Sequence, residues 1–247
     1  RPKESWLQTL GSVQYTLELK QELPKTLETL LNLYPQQSYW LQLGQAHLDL
    51  GDHPRALAVF ELAWKGGYLT EASHLMQLVQ MYNNQGLPEK AALVLAEAIE
   101  LGRVERSSDN LKLLADTHLR SKDLDKVVSP LTEAAETSNN PDLFLRLAQL
   151  NLETLDWKAA ITAANRALAI GQLDDPGHAY MLLGVAHYLG DELQDARRAL
   201  IRAQRSSNST HANVATQWLS VIDSRSAYQQ VSRRYNRAKS NMRLRRE

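Results

Sequence analysis

The chain has 247 residues, of which 43% are hydrophobic and 23% are charged, a balance that excludes an intrinsically disordered protein. It contains no cysteine, which excludes disulfide bonds, thiol catalysis and cysteine-ligated zinc, and it has no apolar run near the roughly 20 residues that a membrane-spanning helix needs. The net charge is zero, but it is unevenly divided, because residues 224–247 carry +7 and the preceding residues carry −7.

A series of mostly small residues recurs along the chain at intervals of 33 to 36 residues. Its members are Gly11, Gly44, Val79, Ala115, Ala148 and Gly184. A second series follows twelve positions later, at Leu23, Ala56, Ala91, Val127, Ala160 and Ala196. A third follows nineteen positions later, at Leu30, Ala63, Ala98, Ala134, Ala167 and Ala203. Leucine and alanine dominate the composition, so the repeating unit is expected to be helical.

A period near 34 residues predicts a solenoid of helix–turn–helix units, in which two antiparallel helices pack and each pair stacks on the next. We expect the small residue of the first helix to face the small residue of the second, so that the two axes approach closely. Aspartates in the turns between the helices, namely Asp52, Asp123, Asp156 and Asp191, are expected to cap the second helix.

The chain ends in segments that do not follow the repeat. From Thr210 onwards, Trp218, Leu219 and Ile222 predict a single terminal helix that covers the last pair. Beyond it, a narrow helical stripe runs through Tyr228, Val231, Tyr235, Ala238 and Met242. We therefore divide the chain into a solenoid with its capping helix over residues 1–223 and a basic, helical tail over residues 224–247.

The three series resemble the tetratricopeptide repeat family over residues 4 to about 223. This resemblance implies an all-α solenoid of about six units and a role in protein–protein interaction. The first unit departs from the pattern, because Gln14 and Leu23 stand where an aromatic and a small residue are usual.

Four segments carry a narrower resemblance: AWKGGYLTEASHLMQL, GLPEKAALVLAEAIELGRVE, LDWKAAITAANRALAIGQLDDPG and ATQWL. They are similar to tetratricopeptide proteins found beside the TonB, ExbB and ExbD components of gammaproteobacteria. The resemblance implies an accessory of TonB-dependent uptake, in or facing the periplasm. Because the chain begins with Arg1, we expect a trimmed product from which a targeting segment could have been removed.

Histidines recur at His47, His118 and His187, three residues after the small residue of every second unit. Residues two units apart are too far from each other to share a metal ion, so packing positions are predicted instead. The sequence also holds no glycine-rich phosphate loop, nucleophile elbow or zinc-binding motif. We therefore expect no enzymatic activity, no cofactor and no metal.

The inner positions of the first helices predict a concave, peptide-binding groove with two apolar stripes and a glutamine-rich stripe between them. The predicted binding residues are Leu41, Gln45, Leu48, Met76, Gln80, Asn83, Lys112, Asp116, Leu145, Gln149, Met181 and Tyr188. Such a groove suits an extended peptide or an amphipathic helix. Lys112 stands alone, so the set of basic residues that grips acidic C-terminal peptides is absent. The alternative for any leucine or methionine here is packing against a neighbouring helix.

The basic tail, with Arg233, Arg234, Arg237 and Arg245, has three interpretations. It could dock on the acidic body of its own chain or of a second copy, which requires charge complementarity. It could bind nucleic acid, or lie peripherally on an anionic membrane. The acidic body opposes the last two.

Overall fold

The structure, a computed structural model, describes the backbone of residues 1–244 and the side chains of residues 1–237. Residues 1–244 form thirteen α-helices and no strand. The helices are α1 (Glu4–Thr16), α2 (Leu23–Leu33), α3 (Gln37–Asp49), α4 (His53–Lys65), α5 (Ala72–Asn84), α6 (Pro88–Glu100), α7 (Ser108–Arg120), α8 (Leu124–Ser138), α9 (Pro141–Glu153), α10 (Trp157–Ile170), α11 (Pro176–Leu189), α12 (Leu193–Ala203) and α13 (Ser209–Leu244). The predicted fold class, an all-α solenoid of helical pairs, is confirmed.

The chain divides into two compact units. Unit 1 covers Arg1–Asp123 and contains α1 to α7, each of which packs against the next along the chain. Its main core lies among α4, α5 and α6, where the ring of Tyr82 and the side chains of Leu78 and Leu95 are buried. Burial of this apolar surface stabilises the stacked pairs, since no single pair can cover its own inner face.

Unit 2 covers Leu124–Glu247 and contains α8 to α13. The pairs α9–α10 and α11–α12 pack tightly, and α10 joins them by packing on α11. Helix α13 lies against both α11 and α12. The predicted role of the terminal helix is confirmed, because Ala215 and Ile222 of α13 are buried against Leu200 and the last pair.

The small-residue series lies at the predicted places, with its first member in an odd-numbered helix and the other two in the following helix. The nearest neighbour of Gly44 is Phe60, however, since a Cβ added at Gly44 would lie 2.5 Å from Cε2 of this ring. At Gly184 the predicted partner is in contact, because an added Cβ would lie 3.3 Å from the backbone oxygen of Ala196. A Cβ at Gly184 would similarly lie 2.5 Å from Cγ of Leu200. The glycines therefore permit a large side chain to be inserted at their surface.

Two of the four predicted aspartate caps, Asp52 and Asp156, are confirmed, and that of Asp123 stays a prediction. The side chain of Asp52 accepts a hydrogen bond from the backbone N–H of Arg55, and that of Asp156 accepts one from Ala159. Asp191 was expected to cap α12, but this is wrong, because it lies in the preceding turn with a φ of +61°. Its carboxylate instead accepts a hydrogen bond from Arg225 of α13, at 2.7 Å.

Helix α13 continues without a break across residue 223, where the sequence suggested a boundary between the solenoid and the tail. None of the helices in the described part of the chain combines the length and the apolar character required to cross a membrane.

Candidate functional site

A groove in unit 1 runs between α1 and α3, with α2 as its floor. Two cavities of about 530 and 590 Å³ lie along it and share part of their lining. The floor consists of Leu23, Leu27 and Leu30, which lie on one side of α2. Gly11 of α1 and Ala46 of α3 also line the cavity of about 530 Å³. Because these two residues are small, the space above the leucine floor stays open to a ligand.

Each wall of this groove carries a stripe of polar side chains at helical spacing. The stripes consist of Gln8, Ser12 and Tyr15 from α1, and of Ser38, Gln42, Gln45 and Asp49 from α3. Amide and hydroxyl groups can both donate and accept hydrogen bonds, which suits the backbone of an extended peptide. The leucines below them are apolar, but Leu27 and Leu30 are only 1% exposed, so the partly exposed Leu23 is the floor residue that an apolar side chain of a ligand can reach.

Hydrogen bonds within the chain fix several of these side chains. Nε2 of Gln8 donates to the hydroxyl of Tyr39 at 2.6 Å, and this hydroxyl donates to Oε1 of Glu4 at 2.7 Å. Burial and the neighbouring Glu4 carboxylate raise the pKa of Tyr39, so its hydroxyl remains protonated and continues to donate. Nε2 of Gln45 donates to Oδ1 of Asp49 at 2.7 Å. The rim of the groove is therefore partly preorganised.

Gln14 is the polar residue that lies deepest in this part of α1. It lines the second cavity, only 8% of it is exposed, and its Oε1 has no hydrogen-bond partner among the residues that the structure describes. A buried acceptor without a donor costs about 1–3 kcal/mol of stability. A ligand that brings an N–H group into the cavity removes this cost, so Gln14 adds an independent sign of a binding site.

Of these groove residues, Gln45 was predicted from the sequence and the others were not. The first unit departs from the repeat at Gln14 and Leu23, and for that reason its first helix supplied no predicted binding residue. A usable signal was nevertheless present, since Gln8, Ser12 and Tyr15 follow one another at spacings of four and three residues.

The apolar residues predicted for the groove in unit 1 are partly buried. Leu41, Leu48 and Met76 pack against the main core of this unit. These contacts agree with the alternative to a binding role, in which each residue packs against a neighbouring helix. Their remaining exposed surface leaves a binding role as a prediction.

The polar residues predicted for the groove in unit 1 have different environments. Gln45, Gln80 and Lys112 are exposed, whereas Asn83 and Asp116 are half-buried. The backbone carbonyl of Asn83 accepts a hydrogen bond from the guanidinium of Arg120, which places Asn83 at the contact between two first helices, α5 and α7.

In unit 2, Gln149 lies on the exposed side of α9 and donates a hydrogen bond to Glu153 at 3.3 Å. Leu145 does not lie on an accessible groove surface, as the sequence suggested, because only 8% of it is exposed. The physical reason is that α9 is covered by α8, α10 and α11, so most of its circumference faces other helices. Leu145 is a core residue in this structure.

Met181 and Tyr188 of α11 also do not line an open groove. Both pack against the apolar cluster that α12 and α13 form. The ring centroids of Tyr188 and Trp218 are 5.1 Å apart, and the guanidinium of Arg225 lies 5.1 Å from the ring centroid of Tyr188. Helix α13 therefore covers the face of α11 that was predicted to bind a partner.

The tail residues within the described part of α13 project into solvent. Arg233, Arg234 and Arg237 are exposed, as are Tyr228, Val231 and Tyr235. Arg245 lies outside the described residues, and so do the side chains of Ala238 and Met242.

The three repeated histidines have separate environments. His47 is buried, with 4% of its surface exposed, and His187 forms a hydrogen bond with Glu192 through Nδ1. Within residues 1–237, no three His, Asp or Glu side chains are placed so that they could hold a metal ion together.

A polar cluster that the sequence did not predict joins the beginnings of α11 and α13. The Asp175 carboxylate accepts hydrogen bonds from the hydroxyl of Ser206, from Nδ1 of His211 and from the backbone of Gly177, all within 2.9 Å. Burial raises the pKa of Asp175, but the hydrogen bonds from His211, Ser206 and Gly177 outweigh it and lower this pKa overall. The rings of His178 and His211 stack at 4.6 Å. The cluster anchors α13 to the last pair.

Comparison with protein families and solved structures identifies the repeat. The model of the tetratricopeptide repeat family matches residues 25–67, which include most of α2 and all of α3 and α4, and residues 145–210. Comparison with curated protein sequences finds no match.

Several solved structures are similar in their helical arrangement. The structure of Naa15/Naa10 bound to HypK-THB has a TM-score of 0.62 and 13% identity, covering 93% of this chain and 35% of that one. The crystal structure of MamA protein has a TM-score of 0.48 and 19% identity, covering 68% and 89%. The TPR2AB-domain:pHSP90 complex of yeast Sti1 has a TM-score of 0.42 and 14% identity, covering 89% and 98%.

At 13% identity, the similarity to the Naa15 structure concerns the fold alone. The family match identifies the repeats themselves, since both matched segments coincide with helical pairs that carry the small-residue series. The helical pairs within the two matched segments are therefore similar to tetratricopeptide repeats.

Proposed function

We propose that the chain is a protein-binding scaffold that holds an extended peptide in the groove between α1 and α3. The observation that carries this proposal is an open groove above α2, with the partly exposed Leu23 at its floor and two facing stripes of amide and hydroxyl groups as its walls. Gln14 supports it, because its buried Oε1 lacks a donor that the backbone of a peptide can supply. The family that matches is a repeat family and not a catalytic one.

The charges near the groove indicate which peptides fit. Asp49, Glu18 and Lys20 line its second cavity, so its local charge is slightly negative. An acidic peptide is disfavoured by this charge. A peptide with alternating apolar side chains and an uncharged or weakly basic character fits the floor and the walls best.

The proposal is tested with a displayed library of random 12-residue peptides, selected on the wild-type chain. The affinity of an enriched peptide is then measured by fluorescence anisotropy against a variant in which Ser12→Trp fills the cavity. Ser12 is exposed and lines the groove, so the indole occupies space that the peptide needs without disturbing the core. We expect affinity to fall at least about tenfold, or about 1.4 kcal/mol.

The matched control is Ser5→Trp, which places the same bulk at an exposed position of α1 outside the groove lining. It should leave the affinity within about twofold. Equal losses in both variants, or a selection that enriches no peptide, would contradict the proposal.

A finer proposal is that the scaffold serves a TonB-dependent uptake system in the periplasm. It is supported by the four segments that resemble accessory proteins of such systems. Co-purification of the tagged chain from its native cell, followed by mass spectrometry, tests it. The presence of a TonB, ExbB or ExbD component supports this proposal, whereas a set of purely cytoplasmic partners opposes it.

A second candidate function is binding to nucleic acid or to an anionic membrane through the tail. It is supported by the exposure of Arg233, Arg234 and Arg237 on α13. Binding to phosphate groups should weaken steeply with salt, because counterions are released. A gel shift and a liposome pelleting assay at low and high salt separate this function from peptide binding, since Ser12→Trp should affect neither assay.

A further inference from the structure

Helix α1 is apolar on a face that no other described element covers. Trp6, Leu10 and Val13 of α1 lie at spacings of four and three residues, and with Leu17, which directly follows the helix, they form the α1 stripe. Between 47% and 65% of each residue is exposed. In a stacked array, a neighbouring helix normally covers an apolar face of this kind. An apolar face that is left exposed marks a surface on which another protein can bind.

The α1 stripe is separate from the peptide groove. At 100° per residue, the buried residues Leu7 and Gly11 define the inward side of α1. The groove-lining residues Gln8 and Ser12 lie on one flank of that side, and the stripe lies on the opposite flank. An occupant of the stripe therefore leaves the groove free.

Helix α13 exposes a second stripe with the same kind of spacing. Val221, Tyr228, Val231 and Tyr235 form the α13 stripe, at spacings of seven, three and four residues. Between 44% and 76% of each is exposed. Arg225 ties α13 to Asp191 of the last pair, and the helix continues beyond it for about 28 Å, at 1.5 Å per residue. This overhang presents its apolar stripe to solvent.

Charge determines which surfaces these stripes can meet. Residues 224–247 carry +7, so two overhangs repel each other. Residues 1–123, which include α1, carry a net charge of −3, and α1 itself contains a single charged residue, Glu4. An α13 overhang is therefore attracted to unit 1, and it meets one basic side chain on the α1 stripe, Lys3, whose Nζ lies 5.6 Å from the ring centroid of Trp6.

We propose that the α13 overhang of one copy of this chain docks along α1 of a second copy. Two helices with matching apolar stripes pack side by side, and a single contact covers the two exposed stripes at once. The contact is heterologous, because it joins different surfaces of the two copies. It closes into a dimer if both copies exchange overhangs, and otherwise it propagates from copy to copy.

The test uses the full-length chain with one surface disabled at a time. The α1 variant carries Leu10→Lys and Val13→Lys, and the tail variant carries Val231→Lys and Tyr235→Lys. All four positions are exposed, and circular dichroism verifies that both variants fold. Control variants carry the same charge change off the stripes, at Ser5 and Thr16 of α1 or at Gln230 and Asn236 of α13.

Sedimentation velocity at about 1 and 100 μM then gives the mass of each species, a range suited to a small interface. The wild type and the control variants should associate at the higher concentration, and each disabled variant alone should stay monomeric. An equimolar mixture of the two disabled variants should form a dimer, since each retains the surface that the other lacks.

Each alternative gives a different result. Association of the tail variant alone indicates contact between two α1 helices, and association of the α1 variant alone indicates contact between two overhangs. A wild type that stays monomeric at about 100 μM, or a mixture that does not associate, also overturns the proposal.

A cross-linking experiment gives a second measurement that does not depend on lysine substitutions. Because the chain has no cysteine, single-cysteine variants Val13→Cys and Val231→Cys can be mixed and treated with a bis-maleimide whose span matches the about 8–10 Å between packed helices. We expect a cross-linked heterodimer from this pair and little product from Ser5→Cys mixed with Gln230→Cys. Equal yields from both mixtures would contradict the proposed contact.

Discussion

The first and last helical pairs of this chain differ in how their faces are covered. In the last pair, α13 lies on α11 and α12 and buries Ile222, whereas the first pair leaves Trp6 and Leu10 of α1 exposed. The glycines of the two pairs also differ, because the one in the last pair is packed more tightly. A Cβ at Gly184 would lie 2.5 Å from Leu200, while one at Gly11 would lie no closer than 3.6 Å to Leu23. We call the last pair, which α13 covers, the closed pair, and the first pair, which leaves α1 exposed, the open pair. The closed pair provides stability, and the open pair provides surfaces on which partners can bind.

The largest loss of stability is expected from a substitution that removes a buried contact of the last pair. Ile222→Ala should lower the free energy of unfolding by about 2–5 kcal/mol, because it leaves a cavity where α13 meets the last pair. Leu10→Ala, a truncation on the open pair, should cost less than about 1 kcal/mol, since 47% of Leu10 is already exposed. Urea melts at a protein concentration low enough to keep the chain monomeric measure both. Equal costs would mean that α13 does not close the last pair.

A smaller difference in stability is expected between alanine variants of the two glycines. Gly184→Ala should destabilise the chain by about 1–3 kcal/mol through overpacking against Leu200, less the gain of up to about 1 kcal/mol from helix propensity. Gly11→Ala should be neutral or stabilising, because its Cβ meets only ordinary contacts. Thermal melts of the two variants give the answer. A Gly11→Ala variant that is less stable than Gly184→Ala would show that the first pair is packed more tightly than described.

Lowering the pH should reduce the stability of the closed pair, because His178 becomes protonated. Burial and the neighbouring His211 lower the pKa of His178, with Asp175 opposing them. A lowered pKa means that the unfolded chain binds the proton first, so this contribution to stability is present above the ordinary histidine pKa and is lost as pH falls through the folded value.

The expected result is a loss of stability between about pH 7.5 and 5.5 that is larger in the wild type than in His178→Gln. Urea melts at the two pH values check it. Residues 1–34, which form the first pair, contain no histidine, so they contribute nothing to this difference. If the stability of the His178→Gln variant depends on pH as strongly as that of the wild type, His178 is not the cause of the loss.

The smallest expected effect concerns the end of the contact between α13 and the last pair. Arg225→Ala removes an ion pair with Asp191 and the contact with the ring of Tyr188. Because Asp191 is largely exposed, the loss should be about 0.2–1 kcal/mol, and high salt should reduce the part due to the ion pair. Thermal melts at low and high salt measure it. A loss above about 2 kcal/mol would indicate that Arg225 holds α13 in place more strongly than an exposed pair can.

The helical pairs could be predicted from the sequence because packing imposes a regular spacing on small residues. Ala63, Ala98 and Ala134 recur where a second helix faces the first, and all three are buried. The neighbours of each small residue could not be predicted equally well. The nearest neighbour of Gly44 is the ring of Phe60 and not Ala56, since the spacing of a series does not specify which rotamer fills the space above a glycine.

The binding surface was harder to predict than the fold, for two physical reasons. Helical periodicity indicates the side on which a residue lies, but not how many helices cover that side, so Leu145 and Tyr188 were expected on an open groove and are covered instead. Conversely, the groove of the first pair depends on Gln8 and Ser12, which a repeat pattern does not mark because both are exposed and neither belongs to the buried core between the helices.

The accessibility of single cysteines tests most directly the claim that the first pair is open and the last pair closed. The chain has no native cysteine, so Leu10→Cys on α1 and Ile222→Cys on α13 can each be treated with a thiol reagent at about 1 μM protein. Leu10→Cys should react at the rate of a free thiol, and Ile222→Cys should react at least about tenfold more slowly, because it is reached only when α13 separates from the last pair. Equal reaction rates in two folded variants would contradict this account.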